Sequence, residues 1–494
     1  MCGGTQQQGG GNMVKATLRG AVLLGLLLAS VPGYAEVQNV KVGGDVTVRG
    51  FYRSNLDLHD ESSGSATEAS RAGRIGDGLA GLDRESFIMS TIGVNIGADL
   101  SENVSAFIRL ANERDWDSTA GADTTDLDIS QAYVTLKELF YTPLTIRLGT
   151  QPIVWGRGFV LGSNLFPAVN NKGDDRNASI TANEFTDFTA FEAIRATLDL
   201  SNLGGLNLPL TAEYVYIKTD ENSVNNNDDV NIQGVNLSTK LDAANAEFET
   251  YFLNKRDKTS GAGTIQTGNY GSVNTLGLRG SAQPIQGFYT YGELAYQFGR
   301  RAVDPAGVLP AGGGQQAWGA NLGGDYTFAN VTSSPKLGLE WRFYSGGKLP
   351  RTGSKDKTGV GGWAPIAPGY FTTALREFQT QSTVAGFYPT DHTKVTSAGT
   401  NQHELALYGS FTPLEDLTVS PRLSWFTLDE KVSPQADAKP NGFLGTEWDT
   451  NIVYNYTEDV QLGLLYALFA PGNAFREPAD ATAQELVTTV SVKF

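Results

Sequence analysis

Eight arginines recur in one phase of a chain of alternating segments: Arg49 and Arg53, then Arg109, Arg147, Arg195, Arg279, Arg342 and Arg422. A guanidinium stays charged and presents a planar fork of N–H donors. A row of them can therefore replace the hydration shell of an anionic solute. Carboxylates share that phase at Glu113, Glu213, Glu247, Glu249, Glu293, Glu340, Glu447 and Asp449. Arginine and glutamate on neighbouring strands can instead pair with each other and hold a wall together. Both readings, a cationic rail and a self-neutralised wall, stand at this level.

Other chemistry is sparsely provided for. The chain has three histidines, His59, His392 and His403, and none accompanies a serine in a nucleophile motif. A barrel enzyme with a Ser/His or Asp/His site is therefore the minor alternative, and no catalytic residue, cofactor or metal is expected. The Asn/Asp run 225–229 lacks the spaced ligand register of a calcium loop and reads as a solvated loop tip. The formal charge of −16 argues against nucleic acid as a partner.

The elements that must position these charges are strands. Along 337–343, Leu337, Leu339, Trp341 and Phe343 read one way, while Lys336, Glu340, Arg342 and Tyr344 read the other. This period of two marks a strand with one apolar and one polar face. Such segments occur at 40–57, 85–100, 104–116, 127–137, 144–151, 187–200, 208–218, 231–241, 245–255, 272–282, 288–298, 316–328, 335–345, 402–411, 417–428, 443–456, 460–469 and 484–494. Connections after even-numbered segments are short, as at 101–103 and 457–459; those after odd-numbered segments are long and rich in Gly, Asn, Asp and Ser, as at 58–84 and 346–401.

Strict alternation of short and long connections predicts a single transmembrane antiparallel barrel, all-β, with about 18 strands, short periplasmic turns and long extracellular loops. A soluble sandwich has shorter strands and no such asymmetry. An arginine turned to lipid at the midplane would cost roughly 2–4 kcal/mol, so the arginine phase must face the lumen. Tyr141, Tyr326, Phe328, Trp425, Tyr454 and Tyr456 fall near strand ends, where interfacial girdles sit. The outer-membrane lipid and a hydrophilic solute are the expected partners. The last strand ends on Phe494 in the apolar phase, the segment expected to engage outer-membrane assembly machinery.

The connection 152–186 carries Trp155, Arg157, Lys172, Asp174, Asp175 and Arg176, with Gly156 and Gly158 between the first two and after them. It is a candidate constriction folded into the lumen, or else an ordinary surface loop. At the N-terminus, Lys15 and Arg19 precede an apolar run from Ala21 to Val31 and a small residue, Ala35. Residues 13–35 thus read as a secretory signal peptide, 1–12 as a spurious or unstructured extension, and 36–494 as the barrel, exported through the periplasm to the outer membrane. Cys2, the sole cysteine, precedes the apolar run rather than following it, so neither a lipid anchor nor a disulfide is expected.

Three stretches resemble the alginate-export family of outer-membrane porins: Arg147-Leu148-Gly149-Thr150-Gln151 followed by Trp155-Gly156-Arg157-Gly158; Phe188 to Arg195; and Leu337 to Gly347, leading to Trp363, Pro365 and Pro368. The resemblance implies an eighteen-stranded barrel with a charged, selective lumen that passes polyanionic or small organic solutes passively. It implies that Arg147, Gln151, Arg195 and Arg342 line the pore. A polyuronate conduit calls for an electropositive interior, whereas this lumen mixes signs. That difference favours a general or differently selective porin.

Overall fold

The computed structural model describes residues 39–56, 58, 84–116, 127–141, 143–164, 180–201, 208–220, 229–258, 271–300, 314–347, 362–377, 400–432, 441–475 and 481–494. The leader region and Lys172, Asp174, Asp175, Arg176, His59 and His392 lie outside them. The strands are β1 (Asn39–Ser54), β2 (Arg84–Ser101), β3 (Val104–Asp115), β4 (Asp128–Leu136), β5 (Leu144–Gln151), β6 (Phe191–Asp199), β7 (Leu210–Asp220), β8 (Val230–Leu241) and β9 (Ala246–Asp257). There follow β10 (Gly271–Ile285), β11 (Phe288–Arg300), β12 (Gly314–Thr327), β13 (Lys336–Tyr344), β14 (Gln402–Leu414), β15 (Leu417–Val432), β16 (Asn441–Asn455), β17 (Val460–Pro471) and β18 (Ala483–Lys493).

Each strand pairs antiparallel with its sequence neighbours, and β1 pairs with β18, so the 18-stranded sheet closes on itself. Closure is what hydrocarbon demands, because an open edge there would leave N–H and C=O groups unpaired. The seam runs from Asp45 opposite Lys493 to Ser54 opposite Gln484. Beyond it, the Gly44 amide donates to the Phe494 carbonyl at 2.8 Å and the Phe494 amide donates back at 3.0 Å. Among the described residues no helix is long and apolar enough to cross a membrane; the strands do the crossing.

The outer surface follows the alternation. Ile88, Ile92, Ile194, Leu276, Leu294, Leu339 and Leu405 are all exposed large apolar side chains, as lipid-facing residues should be. The short turns are built locally. After β8, Asn245 adopts a left-handed conformation (φ 44°, ψ 47°) and its amide closes on the Asp242 carbonyl. Between β16 and β17 the Thr457 hydroxyl accepts from the amides of Asp459 and Val460 at 3.3 and 3.0 Å. Side chains that bond nearby backbone in this way favour turns.

Two departures from the alternation position the functional region. β6 begins at Phe191, later than the pattern suggests, because Thr186 and Asp187 turn inward and bond to Glu113 on β3. The upper ends of β7 to β9 are apolar on the inner face as well: Val215, Ile217, Ile232 and Leu253 are buried there. They form one cluster with Ile153, Trp155, Phe159 and Leu161 of the β5–β6 connection and with Trp363 and Ile366 of the β13–β14 connection. The barrel therefore has an apolar core of its own, inside the wall, supplied by two connections that enter the lumen.

Candidate functional site

The first entering segment leaves β5 at Gln151. Two glycines in left-handed backbone, Gly156 (φ 59°) and Gly158 (φ 82°), turn it back on itself across the lumen. The wall receives it with carboxylates. The Trp155 indole N–H donates to Glu213 at 2.5 Å, the Gly156 amide to Glu249 at 2.8 Å, and the Arg157 amide to Glu293 at 3.4 Å. Arg157 is held by aromatic faces. Its Cζ lies 3.7 Å from the Tyr291 ring centroid and 4.8 Å from that of Tyr370, and its Nη2 donates to the Tyr370 hydroxyl at 2.7 Å. Such stacking on a desolvated guanidinium contributes about 1–2 kcal/mol.

The second entering segment, 362–377, runs beside the first. Gly162 and Ala367 are bridged by a 2.8 Å backbone hydrogen bond, with Ala367 to Val160 at 3.1 Å and Gly369 to Gly158 at 2.8 Å. Wall groups hold this segment too. Lys255 donates to the Ile366 carbonyl at 3.1 Å, Gln297 donates to the Ala364 carbonyl at 2.7 Å, and Glu447 accepts from the amides of Leu375 and Arg376 at 2.7 and 2.8 Å. Asp449 accepts more loosely from the Ala374 amide at 3.4 Å. Burial pushes the Tyr370 phenol above its ordinary pKa, with the nearby Glu340 carboxylate acting the same way. Its hydroxyl therefore remains a donor, to Glu340 at 3.1 Å.

These contacts account for much of the lumen's negative charge. Glu213, Glu249, Glu293 and Glu447 each accept from a donor of an entering segment, and a carboxylate receiving backbone N–H groups is a charge-assisted anchor. Glu113 does the same for Thr186 and Asp187.

Six of the eight arginines are paired. Arg53, only 1% exposed, reaches Glu485 at 2.7 Å and also pairs with Glu184. Arg109 reaches Asp45 at 2.7 Å and Asp187 at 2.8 Å. Arg195 reaches Glu213 at 2.5 Å, and Arg279 reaches Glu247 at 3.2 Å. Arg342 and Arg422 form one network: Arg342 to Glu404 at 2.7 Å and to Glu377, Arg422 to Glu404 at 2.6 Å and to Glu340 at 3.4 Å. Gln151 is fully buried, its amide donating to the carbonyls of Arg147, Gly149 and Ala193 at 3.0–3.2 Å, so it fastens β5 to β6.

The other two arginines differ. Arg147 lies 4.5 Å from the Tyr133 ring centroid and donates to the Thr135 hydroxyl at 3.3 Å. Arg49 lies 4.8 Å from the Phe185 ring centroid. Neither has a carboxylate within ion-pair distance among the described residues, and both are half-buried on the inner face. Below the entering segments is a cavity of about 620 Å³, lined by Thr373, Ser410, Thr418 and Ser420, by Arg422 with the carboxylates Asp449, Glu184 and Glu485, and by apolar side chains such as Phe371, Leu465 and Val487. His403 stands apart on the outer face, 4.6 Å from the Phe343 ring centroid.

Trp155 and Arg157 thus sit inside the barrel together with Glu340, Arg342 and Arg422. Sequence reasoning named Trp363 but did not single out Tyr370, Glu377 or Glu404. The aromatic and prolines of the longest connection were the available signal.

Residues 67–489 match the sequence profile of a family described as Alginate export. No curated protein sequence matches the chain. Among solved structures the barrel resembles OccK9 (OpdG) of Pseudomonas aeruginosa at a TM-score of 0.50 and 12% identity, covering 93% of this chain and 99% of that one. It also resembles OccAB2 of Acinetobacter baumannii (0.51, 9%, 92% and 98%) and a BenF-like porin from Pseudomonas fluorescens Pf-5 (0.50, 10%, 93% and 100%). At such identities the likeness is one of fold.

Proposed function

The chain belongs to the alginate export family and is an outer-membrane channel, and from that premise we propose that it passes small hydroxylated organic anions, one molecule at a time, across a constriction built by residues 152–163 and 362–377. The observation that carries this reading is Arg147, a guanidinium on the inner face with no carboxylate partner among the described residues. Arg49 is a second such group. Guanidinium forks recognise carboxylates in two-point fashion. The cavity of about 620 Å³, with hydroxyls and Arg422 in its mixed lining, has the size of a site for a small ligand.

Under this reading Arg49 and Arg147 meet the solute directly. Arg53, Arg109, Arg195, Arg279, Arg342 and Arg422, with Glu340, shape the path by holding the wall and the entering segments. Trp155 and Arg157 form the constriction. A long polyuronate would need a continuous cationic interior, and six neutralised arginines argue against one. Those same ion pairs favour a second reading, a general porin with weak selectivity. The family and fold are those of a channel rather than an enzyme. Export through the periplasm and insertion guided by the strand ending at Phe494 complete the reading.

Planar-bilayer recordings of the purified chain in a salt gradient, with liposome swelling in monomeric and oligomeric sugar acids, test it. Anion-leaning reversal potentials and swelling with the monomer alone are expected. A reversal potential at zero would favour the general porin, and swelling with the oligomer would overturn the small-solute reading.

A further inference from the structure

The lipid-facing surface is apolar at mid-height, while its extracellular rim carries exposed charged side chains, and those on β7 to β11 lie together in register. The register aligns Lys218 with Asn231, Asn231 with Arg256, Arg256 with Ser272, and Ser272 with Arg300, across β7 to β11. These positions share the outward phase of Tyr214, Val235, Phe252, Leu276 and Phe298, all exposed large apolar residues. Arg256 and Arg300 are themselves exposed, and Lys218 lies 3.9 Å from Asp229. Glu192 stands opposite Lys218 on the far side and closes the row.

The next row toward the membrane is polar as well. Tyr216, Gln233, Asn254 and Asn274 follow one another in register. The Asn254 amide donates to the Ser272 hydroxyl and to the Asn274 carbonyl, both at 2.9 Å, and the Tyr216 hydroxyl donates to Asn231 at 3.2 Å. On the other side of the barrel the comparable outward row reads Phe343, His403, Thr427 and Phe443. Two successive rows that are polar across four strands in register set the β7 to β11 side apart from that mixed row. Acyl chains supply no partner for such groups.

We propose that this patch binds the phosphorylated sugar headgroup of a glycolipid in the outer leaflet. Arg256 and Arg300 stand two strands apart, about 10 Å, a separation that a disaccharide carrying a phosphate at each end spans. Guanidinium forks match phosphate oxygens in two-point geometry. The amides and hydroxyls one row below face the depth of the sugar hydroxyls, which donate and accept hydrogen bonds, and of the first acyl carbonyls, which accept them. Charge decides the class of partner: a zwitterionic headgroup would not select for two arginines in one row.

The test is lipid retention by the full chain in mild detergent, read by native mass spectrometry. The probes are purified bis-phosphorylated lipid A, its dephosphorylated form, and inorganic phosphate. Wild type should hold the phosphorylated form, hold the dephosphorylated form weakly, and leave free phosphate unbound. A cation facing an anionic membrane surface contributes about a fivefold preference, so R256Q/R300Q should reduce binding by about tenfold or more. K431A, at an exposed rim lysine on β15, should bind as wild type does. Retention of the heat-modifiable folded band by R256Q/R300Q separates a lost contact from a lost barrel. Equal binding of both lipid forms, or unchanged binding in R256Q/R300Q, overturns the proposal. Binding of free phosphate alone overturns it too, because the site would then serve a soluble anion.

Discussion

Arg147 on β5 stands directly opposite Arg195 on β6, and only one of them is neutralised. Arg195 reaches Glu213 at 2.5 Å, while Arg147 has the Tyr133 ring and the Thr135 hydroxyl. Like charges directly opposite are destabilising unless something nearby absorbs one of them. The pair therefore separates the two roles that arginine plays in this lumen. Arg147→Ala should shift the reversal potential toward cations. It should lower stability only by the lost ring contact, about 0.5–1 kcal/mol. Bilayer recordings check the first and urea unfolding in detergent the second. A selectivity unchanged from wild type would assign Arg147 to the wall.

The opposite balance is expected at Arg342. It is buried between Glu404, itself 1% exposed, and Glu377. Removing one member of a buried ion network strands the others, at about 3–5 kcal/mol. Arg342→Ala should therefore lower the temperature at which the folded barrel converts to the unfolded band on gels. Adding Glu404→Ala should recover part of that loss, since contacting residues do not add independently. A single variant as stable as wild type would show the network to be slack.

The barrel was legible in the sequence because lipid imposes one rule on every strand, and the outward phase of residues such as Ile88, Leu339 and Leu405 obeys it. The interior was legible only in part. Arg342 and Glu340 could be put on the inner face by parity, yet parity cannot say that Glu447 would cap the amides of Leu375 and Arg376, about 70 positions earlier in the chain. A carboxylate looks the same in sequence whether it meets solute, arginine or backbone. The apolar inner ends of β7 to β9 were hidden for a related reason. Val215 and Leu253 break the expected polar phase, and their partners, Ile153 and Ile366, lie in connections whose path no periodicity records.

Arg157 offers a test of the constriction that leaves its charge in place. Between Tyr291 and Tyr370 the guanidinium is stacked as well as hydrogen-bonded, and Tyr370 passes the contact on to Glu340. Lysine keeps the charge without the planar fork. Arg157→Lys should leave ion selectivity near wild type while raising open-channel current noise, because the first entering segment loses a clamp of about 1–2 kcal/mol. Quiet recordings from that variant would mean that Glu213 and Glu249 suffice to hold the segment.

The contact between the two entering segments can be opened without touching any charge. The Gly158–Gly162 turn and Gly369 meet backbone to backbone: a Cβ on Gly369 would lie 2.4 Å from the Gly162 carbonyl carbon, and one on Gly162 would lie 2.8 Å from the Gly158 Cα. Neither clash is with a flexible side-chain end, so the segments themselves must part. Gly369→Ala should lengthen or break the 2.8 Å bonds at Gly162 and Gly369 while the closed wall, whose hydrogen bonds lie elsewhere, stays intact. The expected result is a larger single-channel conductance and liposome swelling by oligomeric sugars that wild type excludes, with the heat-modifiable band preserved. If the conductance stays at the wild-type value while the barrel remains folded, current passes around this junction. The narrowest point would then lie lower, where Arg422 and Asp449 line the cavity.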